Sequence, residues 1–238
     1  MSLHSRHRFL PLSGSGGSSA APALAGVIFD MDGTLTSPQP CMFAKIRTLL
    51  GVPAGTDILT HVATSTAAMA LVERVEDEAM RAASVAPGVE PLLEYLARRG
   101  IRKAILTRNY PAPVRHLLTT HLGRRHGFDP IITREFLPPK PAPDGIRHIA
   151  HLWGCEPAHV IMVGDSIDDI AAGRSAGAAT VLVGHAGNTA IREHDFIDCV
   201  VERLDQLIEV LEDGFSVIDR PGEVVKEELE EAQRVLEQ

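Results

Sequence analysis

Residues 26–36 read Gly26-Val27-Ile28-Phe29-Asp30-Met31-Asp32-Gly33-Thr34-Leu35-Thr36. The small and apolar residues before Asp30 predict a buried parallel strand, and Gly33 has the backbone freedom for an abrupt turn after it. The carboxylates of Asp30 and Asp32 therefore follow the carboxyl end of a strand, which is where open α/β sheets bind ligands. Because two close negative charges repel, we expect a bound cation or a shared proton between them. The alternative is an acidic turn without a binding role.

The composition limits the class of protein. A chain of 238 residues with 45% hydrophobic content can form one sizeable domain and a smaller module. No apolar run approaches the ~20 residues that a membrane helix needs, so we expect no membrane partner. The net charge of −8 and the lack of a basic stripe argue against nucleic-acid binding. The widely separated Cys41, Cys155 and Cys199 indicate reduced thiols in a reducing compartment.

Strand and helix patterns divide the chain into parts. From residue 89 to about residue 213 the two patterns alternate, which predicts a parallel sheet covered by helices on both faces. Residues 37–86 carry only helical patterns and are too many for an ordinary loop. We therefore expect a core of residues 26–36 and 87–213 with residues 37–86 inserted into it. The later predicted strands are 102–106, 130–133, 160–163, 180–183 and 199–201, and the predicted helices are 42–50, 58–62, 66–83, 89–99, 114–122, 144–153, 167–177 and 204–212.

The two ends differ from this core in composition. Residues 1–25 are rich in Ser and Gly and contain no acidic residue, so we predict a disordered tail, with an organelle transit peptide as the alternative. Residues 214–238 are predicted to form a linker and a Glu-rich helix that docks on the core, contacts another subunit or stays solvated.

Two further candidate sites, at Thr107 and Lys140, bear groups that suit a phosphate. Thr107 ends a predicted strand, and its hydroxyl with the neighbouring amides suits a phosphoryl oxygen, although Thr commonly ends strands. Lys140 stands among prolines that fix the backbone and aim the ammonium group. There it can offset the like charges of a nucleophile and a phosphate. A solvated Lys on a Pro-rich loop is the alternative.

The last candidate site is Val160-Ile161-Met162-Val163-Gly164-Asp165-Ser166-Ile167-Asp168-Asp169, where a buried strand again ends in Gly-Asp. Carboxylates at this spacing suit a hard cation such as Mg²⁺. Asp165 is the stronger candidate for direct ligation, and Asp169 is expected to bind directly or through water. For Ser166 and Asp168 the alternative is capping of the following helix, which we favour for Asp168.

These four stretches together resemble the motifs of the haloacid dehalogenase-like hydrolase superfamily. Residues 30–35 match its D-x-D-G-T-L signature, Thr107 its second motif, residues 140–143 its K-P-x-P motif and residues 164–169 its G-D-S-x-x-D motif. The resemblance is greatest to the phosphoglycolate phosphatase-type branch. It implies an α/β fold with a doubly wound parallel sheet, a Rossmannoid core, and a small α-helical cap at residues 37–86.

The resemblance also implies roles for individual residues. Asp30 is expected to be the nucleophile that takes up the phosphoryl group, and Asp32 the general acid/base. The implied Mg²⁺ ligands are Asp30, Asp32 through its carbonyl, Asp165 and Asp169, and the implied phosphate-binding residues are Thr107, Arg108, Lys140 and Gly33. For Arg108, an exposed surface position is the alternative.

The implied partner is a small phosphorylated metabolite. We expect a monomer or weak homodimer, which is cytoplasmic unless residues 1–25 direct it to a mitochondrion or another organelle. Dehalogenation is a rival reaction, but it needs neither Asp32 nor Mg²⁺. A phosphomutase would need a cap that excludes water. A non-catalytic binding module would be expected to lose a motif residue, and all are present here.

Overall fold

A computed structural model describes residues 6–8, 23–53, 56, 58–62, 64–123 and 126–218. Its main sheet has six parallel strands in the order β4-β3-β2-β5-β6-β7, which confirms the predicted doubly wound α/β fold. These strands are β2 (Gly26–Phe29), β3 (Arg102–Leu106), β4 (Ile131–Ile132), β5 (Val160–Gly164), β6 (Ala179–Val183) and β7 (Cys199–Val201). A separate antiparallel pair joins β1 (Arg6–Arg8) to β8 (Ser216–Ile218).

Helices cover both faces of the main sheet. The described helices are α1 (Pro40–Leu50), α2 (Ile58–Val62), α3 (Thr66–Ala82), α4 (Val89–Arg98), α5 (Pro111–His116), α6 (Asp144–Trp153), α7 (Ile167–Ala176) and α8 (Gln206–Asp213). Successive side chains of a strand point to opposite faces, so Val27 and Phe29 pack with α4 and α8, whereas Ile28 packs with α6. Burial on both faces explains why the central strands have apolar rather than alternating sequences.

Helices α1 to α3 form a small body with its own apolar core. Met42, Ile46, Val62, Val72 and Val75 are among the buried residues of this cluster. The chain enters and leaves it side by side, because Thr36 pairs with Val85 in an antiparallel bridge. The N–H of Ser37 also donates to the carbonyl of Ser84 at 2.9 Å. We call residues 37–84 the helical insertion.

Several boundaries differ from the predicted ones. Helix α5 begins before the predicted residue 114 and continues as a wider helical turn over Leu117–His121, and the predicted strand 130–133 shortens to Ile131–Ile132. Arg6–Arg8 and Ser216–Ile218 pair with each other, although one was predicted as disordered tail and the other as linker. Pairing between segments this far apart leaves no local sequence signal. The predicted C-terminal helix, in residues 225–236, lies outside the described residues.

Among the described residues, none of the helices combines the length and apolar character that crossing a membrane would require.

Candidate active site

Side chains from three motifs meet at one edge of the sheet. The strand order reverses at β2, with β3 and β4 on one side and β5 to β7 on the other. Asp30 follows β2, Thr107 follows β3 and Asp165 follows β5. The N–H of Asp30 donates to the carbonyl of Val163 at 2.9 Å, which fixes its position beside β5. The three side chains therefore surround the crevice in which doubly wound sheets bind ligands.

Lys140 connects two of the predicted acidic residues. Its ammonium group donates to one oxygen of Asp30 and to one oxygen of Asp169, at 2.5 Å each. All three side chains are almost fully buried. Burial raises the pKa of Asp30 well above its usual range, and the charge of Lys140 opposes that rise. The pKa of Lys140 is raised because these carboxylates outweigh the effect of its own burial. Lys140 is therefore a fixed positive charge beside Asp30.

Asp32 is held by a residue that the sequence analysis left without a role. The side-chain amide of Asn109 donates to a carboxylate oxygen of Asp32, and the N–H of Asn109 donates to Thr107 Oγ1 at 3.1 Å. Burial raises the pKa of Asp32 to about 6, and the hydrogen bond from Asn109 acts in the opposite direction. A carboxyl group with this pKa changes protonation near neutral pH, which suits an acid/base.

Three carboxylates are close enough to hold one metal ion. Oxygen atoms of Asp30, Asp165 and Asp169 all lie within 4.8 Å of one another. Oxygen donors of this kind fit Mg²⁺, which takes few carboxylates and keeps several waters. Both Asp169 oxygens already accept hydrogen bonds, one from Lys140 and the other from Ser166. This arrangement favours Asp30 and Asp165 as the direct ligands.

His185 orients Asp165. The N–H of Gly187 donates to His185 Nδ1 at 3.0 Å, which leaves the Nε2–H of His185 to donate to Asp165 Oδ2 at 3.1 Å. Asn188 donates to the carbonyl of Asp165 at 2.8 Å and accepts from the N–H of His185 at 2.9 Å. The loop after β6 thus holds both the side chain and the main chain of Asp165.

Gly33 packs directly against the Asp165 carboxylate. Its φ is +77°, and a Cβ at this position would overlap the carboxylate oxygens of Asp165. The turn after β2 therefore requires a residue without a side chain for two separate reasons. A phosphate-binding role for Gly33 stays a prediction.

Comparison with known proteins agrees with this geometry. Residues 24–177 match the family model of the haloacid dehalogenase-like hydrolases. The chain belongs to this family. An uncharacterized hydrolase of Saccharomyces cerevisiae is 41% identical over 202 residues, which cover 79% of this chain and 91% of the yeast protein. The predicted family is therefore confirmed, and the protein is a hydrolase.

Of two further comparisons, the first points to one branch of the family and the second shows the shared fold. A phosphoglycolate phosphatase of Haemophilus influenzae is 35% identical over 130 residues, which cover 52% of this chain and 56% of that enzyme. The crystal structure of a predicted phosphoglycolate phosphatase from Haemophilus somnus superposes with a TM-score of 0.62 at 24% identity, covering 79% of this chain and 97% of that one. The hydrolase is thus similar to the phosphoglycolate phosphatase-type branch, as predicted.

In this hydrolase a cavity of about 280 Å³ lies between the sheet edge and the helical insertion. Its sheet side carries the site residues described above. Its other side is mainly apolar and is lined by Phe43, Ile46, Arg47, Ile58, Leu59, Val72 and Glu76. Arg108 and Asp168 also line it and form an ion pair at 2.7 Å, so Arg108 is not an exposed surface residue.

Of the two residues that were candidates for capping α7, Ser166 caps the helix and Asp168 does not. Ser166 is the N-cap of α7, because its hydroxyl accepts from the N–H of Asp169, and Asp169 accepts in return from the N–H of Ser166. Asp168 was the favoured capping residue and instead pairs with Arg108. The reciprocal cap explains how Asp169 is held near Lys140 at the start of α7.

Glu76 is a site residue that the sequence analysis missed. It lies on α3, lines the cavity and receives two hydrogen bonds from Arg134. Burial raises its pKa to about 7, although Arg134 acts to lower it. A signal was present in the sequence, because Glu76 falls four residues after the buried Val72 and four before the buried Met80. An acidic residue within the apolar face of a helix indicates a buried partner.

Proposed function

We propose that this hydrolase is a Mg²⁺-dependent phosphatase that cleaves a small phosphomonoester through an aspartyl-phosphate intermediate. The observation that carries the proposal is the position of Lys140, which donates to both Asp30 and Asp169 beside Asp165. This arrangement supports the proposal because the proposed nucleophile, its counter-charge and the proposed metal ligands lie together. Asp32, held by Asn109, borders the same cavity.

The first step is attack by an Asp30 oxygen on phosphorus. A bond forms between this oxygen and phosphorus while the bond from phosphorus to the ester oxygen breaks. Asp32 in its protonated form donates its proton to the departing oxygen, so an alcohol leaves. In the second step Asp32 accepts a proton from water as the water attacks phosphorus. Inorganic phosphate then leaves, and the Asp30 carboxylate is restored.

The other residues of the site would offset the charge of the phosphate and hold it in position. The ammonium group of Lys140 offsets the charges of Asp30 and of the phosphate, which would otherwise repel. The Thr107 hydroxyl and the amides near it would donate to phosphoryl oxygens. Asp30 and Asp165 would hold Mg²⁺, with the Asp32 carbonyl as a further predicted ligand and Asp169 nearby. When bound, the ion would neutralise phosphate charge and orient the phosphate for in-line attack.

The size of the cavity supports a small substrate. Its volume of about 280 Å³ lies near the lower end for ligand sites. We propose that the helical insertion acts as a cap, because it supplies the apolar wall opposite Asp30. The alcohol part of the substrate would contact that wall while the phosphate contacts the sheet edge. A small phosphorylated metabolite is therefore the proposed partner.

The test is phosphate release from a broad panel of small phosphomonoesters, with Mg²⁺ and with EDTA. We expect hydrolysis of a few compounds by the unaltered protein, lost in EDTA and lowered at least about 1,000-fold by Asp30→Asn, which removes the nucleophile. Asp144→Asn is the matched control, since Asp144 is an exposed aspartate on α6. Full activity of Asp30→Asn would refute the proposal. Conversion of one sugar phosphate into its isomer would indicate a phosphomutase instead.

A further inference from the structure

One arginine of the core binds the helical insertion. Arg134 follows β4, and its Nη2 donates to both carboxylate oxygens of Glu76 on α3, at 2.6 Å each. The two side chains are only 12% and 10% exposed. A buried pair of this kind is costly to break from one side, because the remaining charge has no partner. Arg134 therefore fixes α3 at the level of the cavity wall.

The same arginine also donates hydrogen bonds to the main chain beside Thr107. Arg134 Nε donates to the carbonyl of Arg108 at 2.7 Å. Its main-chain N–H donates to the carbonyl of Asn109 at 2.9 Å. Both acceptors belong to residues 107–109, which carry the Thr107 hydroxyl and the amide that holds Asp32. A shift of Arg134 would thus move a segment that borders the reacting groups.

Tyr110 joins the same two parts of the protein by a second route. Its hydroxyl donates to the carbonyl of Glu73 on α3 at 2.9 Å. The Arg134 guanidinium lies over the Tyr110 ring, 5.6 Å from its centre. This stacking limits the guanidinium to one plane, in which its Nε and Nη2 face different acceptors.

We propose that Arg134 is a positioning residue that couples the seating of the helical insertion to the geometry of residues 107–109. One rigid guanidinium contacts both Glu76 and the carbonyl of Arg108, so a change at either contact shifts the other. The proposal rests on the proposed phosphatase function, because it assigns the purpose of the coupling to phosphate binding at Thr107. Lysine cannot replace Arg134, since a single ammonium group lacks the fork that reaches two acceptors in fixed directions.

The experiment compares Arg134→Gln, Arg134→Lys and Glu76→Gln in the full-length protein. Arg81→Gln is the control, because Arg81 lies on α3 like Glu76, is exposed and pairs with Asp77. The probes are inorganic phosphate, as a product inhibitor, and the phosphomonoester that the unaltered protein hydrolyses best. Loss of folded protein alone lowers kcat but leaves KM and the inhibition constant of phosphate unchanged. Displacement of residues 107–109 changes all three.

We expect Arg134→Gln to raise the inhibition constant of phosphate about tenfold and to lower kcat/KM by about 100-fold, as for a small misplacement of reacting groups. Arg134→Lys should lie close to Arg134→Gln, and Arg81→Gln should match the unaltered protein. The double variant Glu76→Gln, Arg134→Gln should have nearly the same kcat/KM as Arg134→Gln, because the two substitutions remove the same contact.

Two results overturn the inference while the phosphatase function stands. One is an unchanged KM and phosphate inhibition constant in Arg134→Gln, or in Arg134→Lys if the former does not fold. The other is a double variant in which the fold-reductions of kcat/KM caused by Glu76→Gln and by Arg134→Gln multiply. If the unaltered protein neither hydrolyses any compound of the panel nor binds phosphate, the proposed function fails and the inference fails with it.

Discussion

Asn109 donates a hydrogen bond from its side-chain amide to the carboxylate of Asp32, and its main-chain N–H donates to the hydroxyl of Thr107. One residue therefore contacts two groups that the proposed reaction needs, the carboxylate of Asp32 and the hydroxyl of Thr107. The amide also favours the charged form of Asp32, against the effect of burial.

Asn109→Ala is expected to lower kcat by about 10- to 100-fold, because Asp32 loses the partner that orients it. It should also raise the pKa of Asp32 above about 6, since the hydrogen bond that lowers it is gone. The pH profile of kcat/KM measures this change as a displacement toward higher pH of the limb that Asp32 controls. A profile and kcat equal to those of the unaltered protein would show that Asn109 has no such role.

Substitution of His185 tests the support of the proposed metal ligand. His185→Ala removes the donor to Asp165, and loss of such an outer partner typically weakens metal binding 10- to 100-fold, so we expect an effect of about that size. The measurements are the Mg²⁺ concentration for half-maximal activity and the Mg²⁺-dependent rise in thermal unfolding temperature. His151→Ala is the control, because His151 is exposed on α6. Equal Mg²⁺ dependence of the two variants would contradict this prediction.

Substitutions at two glycines distinguish the cost of backbone strain from the cost of steric overlap. Gly33 and Gly51 both have positive φ, +77° and +64°, but a Cβ on Gly51 would meet no atom within 4 Å. Gly51→Ala should therefore cost only about 1–2 kcal/mol of unfolding free energy. Gly33→Ala should cost more and also abolish activity, because its methyl group would displace Asp165. Urea unfolding and phosphate release measure the two effects. Similar results for both variants would refute the predicted overlap.

Asp32 is expected to lower stability at neutral pH. Its pKa rises from 3.8 to about 6 on folding, so between these values the folded state holds a proton that the unfolded chain has lost. The free energy of unfolding should therefore fall as the pH rises from about 4 to 6. Two pKa units correspond to at most about 3 kcal/mol, less where cavity water reaches the carboxylate.

Asp32→Asn removes this titration and measures its size. In EDTA, the variant should be more stable than the unaltered protein at pH 7.5 and similar to it near pH 4. Urea unfolding at both pH values provides the comparison, and phosphate release with Mg²⁺ should show that the more stable variant is inactive. Equal stability at pH 7.5 would mean that Asp32 is not held in a desolvated position.

The sheet and the main site residues could be predicted from the sequence, because each is marked by a short local pattern. An apolar run that ends in Asp30, and another that ends in Gly164-Asp165, place acidic groups at strand ends whatever the rest of the chain does. The structure places Asp30, Asp165, Asp169 and Lys140 together and Asp32 at the same cavity. Their catalytic and metal-binding roles stay predictions.

The contacts that the sequence analysis missed are long-range or depend on orientation. Arg134 and Glu76 are 58 residues apart, and Asn109 and Asp32 are 77 apart. No periodic pattern connects such pairs. Within the insertion, Ser65 is the N-cap of α3, whereas Phe43 and Ile58 are among the residues that line the cavity. Side-chain direction depended on how the insertion seats on the core, which its sequence alone does not determine.

The bridge between Thr36 and Val85 has an evolutionary consequence. Because the chain leaves the core and returns at adjacent points, the intervening helices can be lengthened, shortened or exchanged by recombination without rerouting any strand of the main sheet. The insertion can thus change in length or sequence while the proposed chemical steps stay at the sheet edge, provided that its contact with Arg134 is kept. The Arg134 contact with Glu76 would be the constraint on such exchange, because an incoming segment must supply a carboxylate at that point.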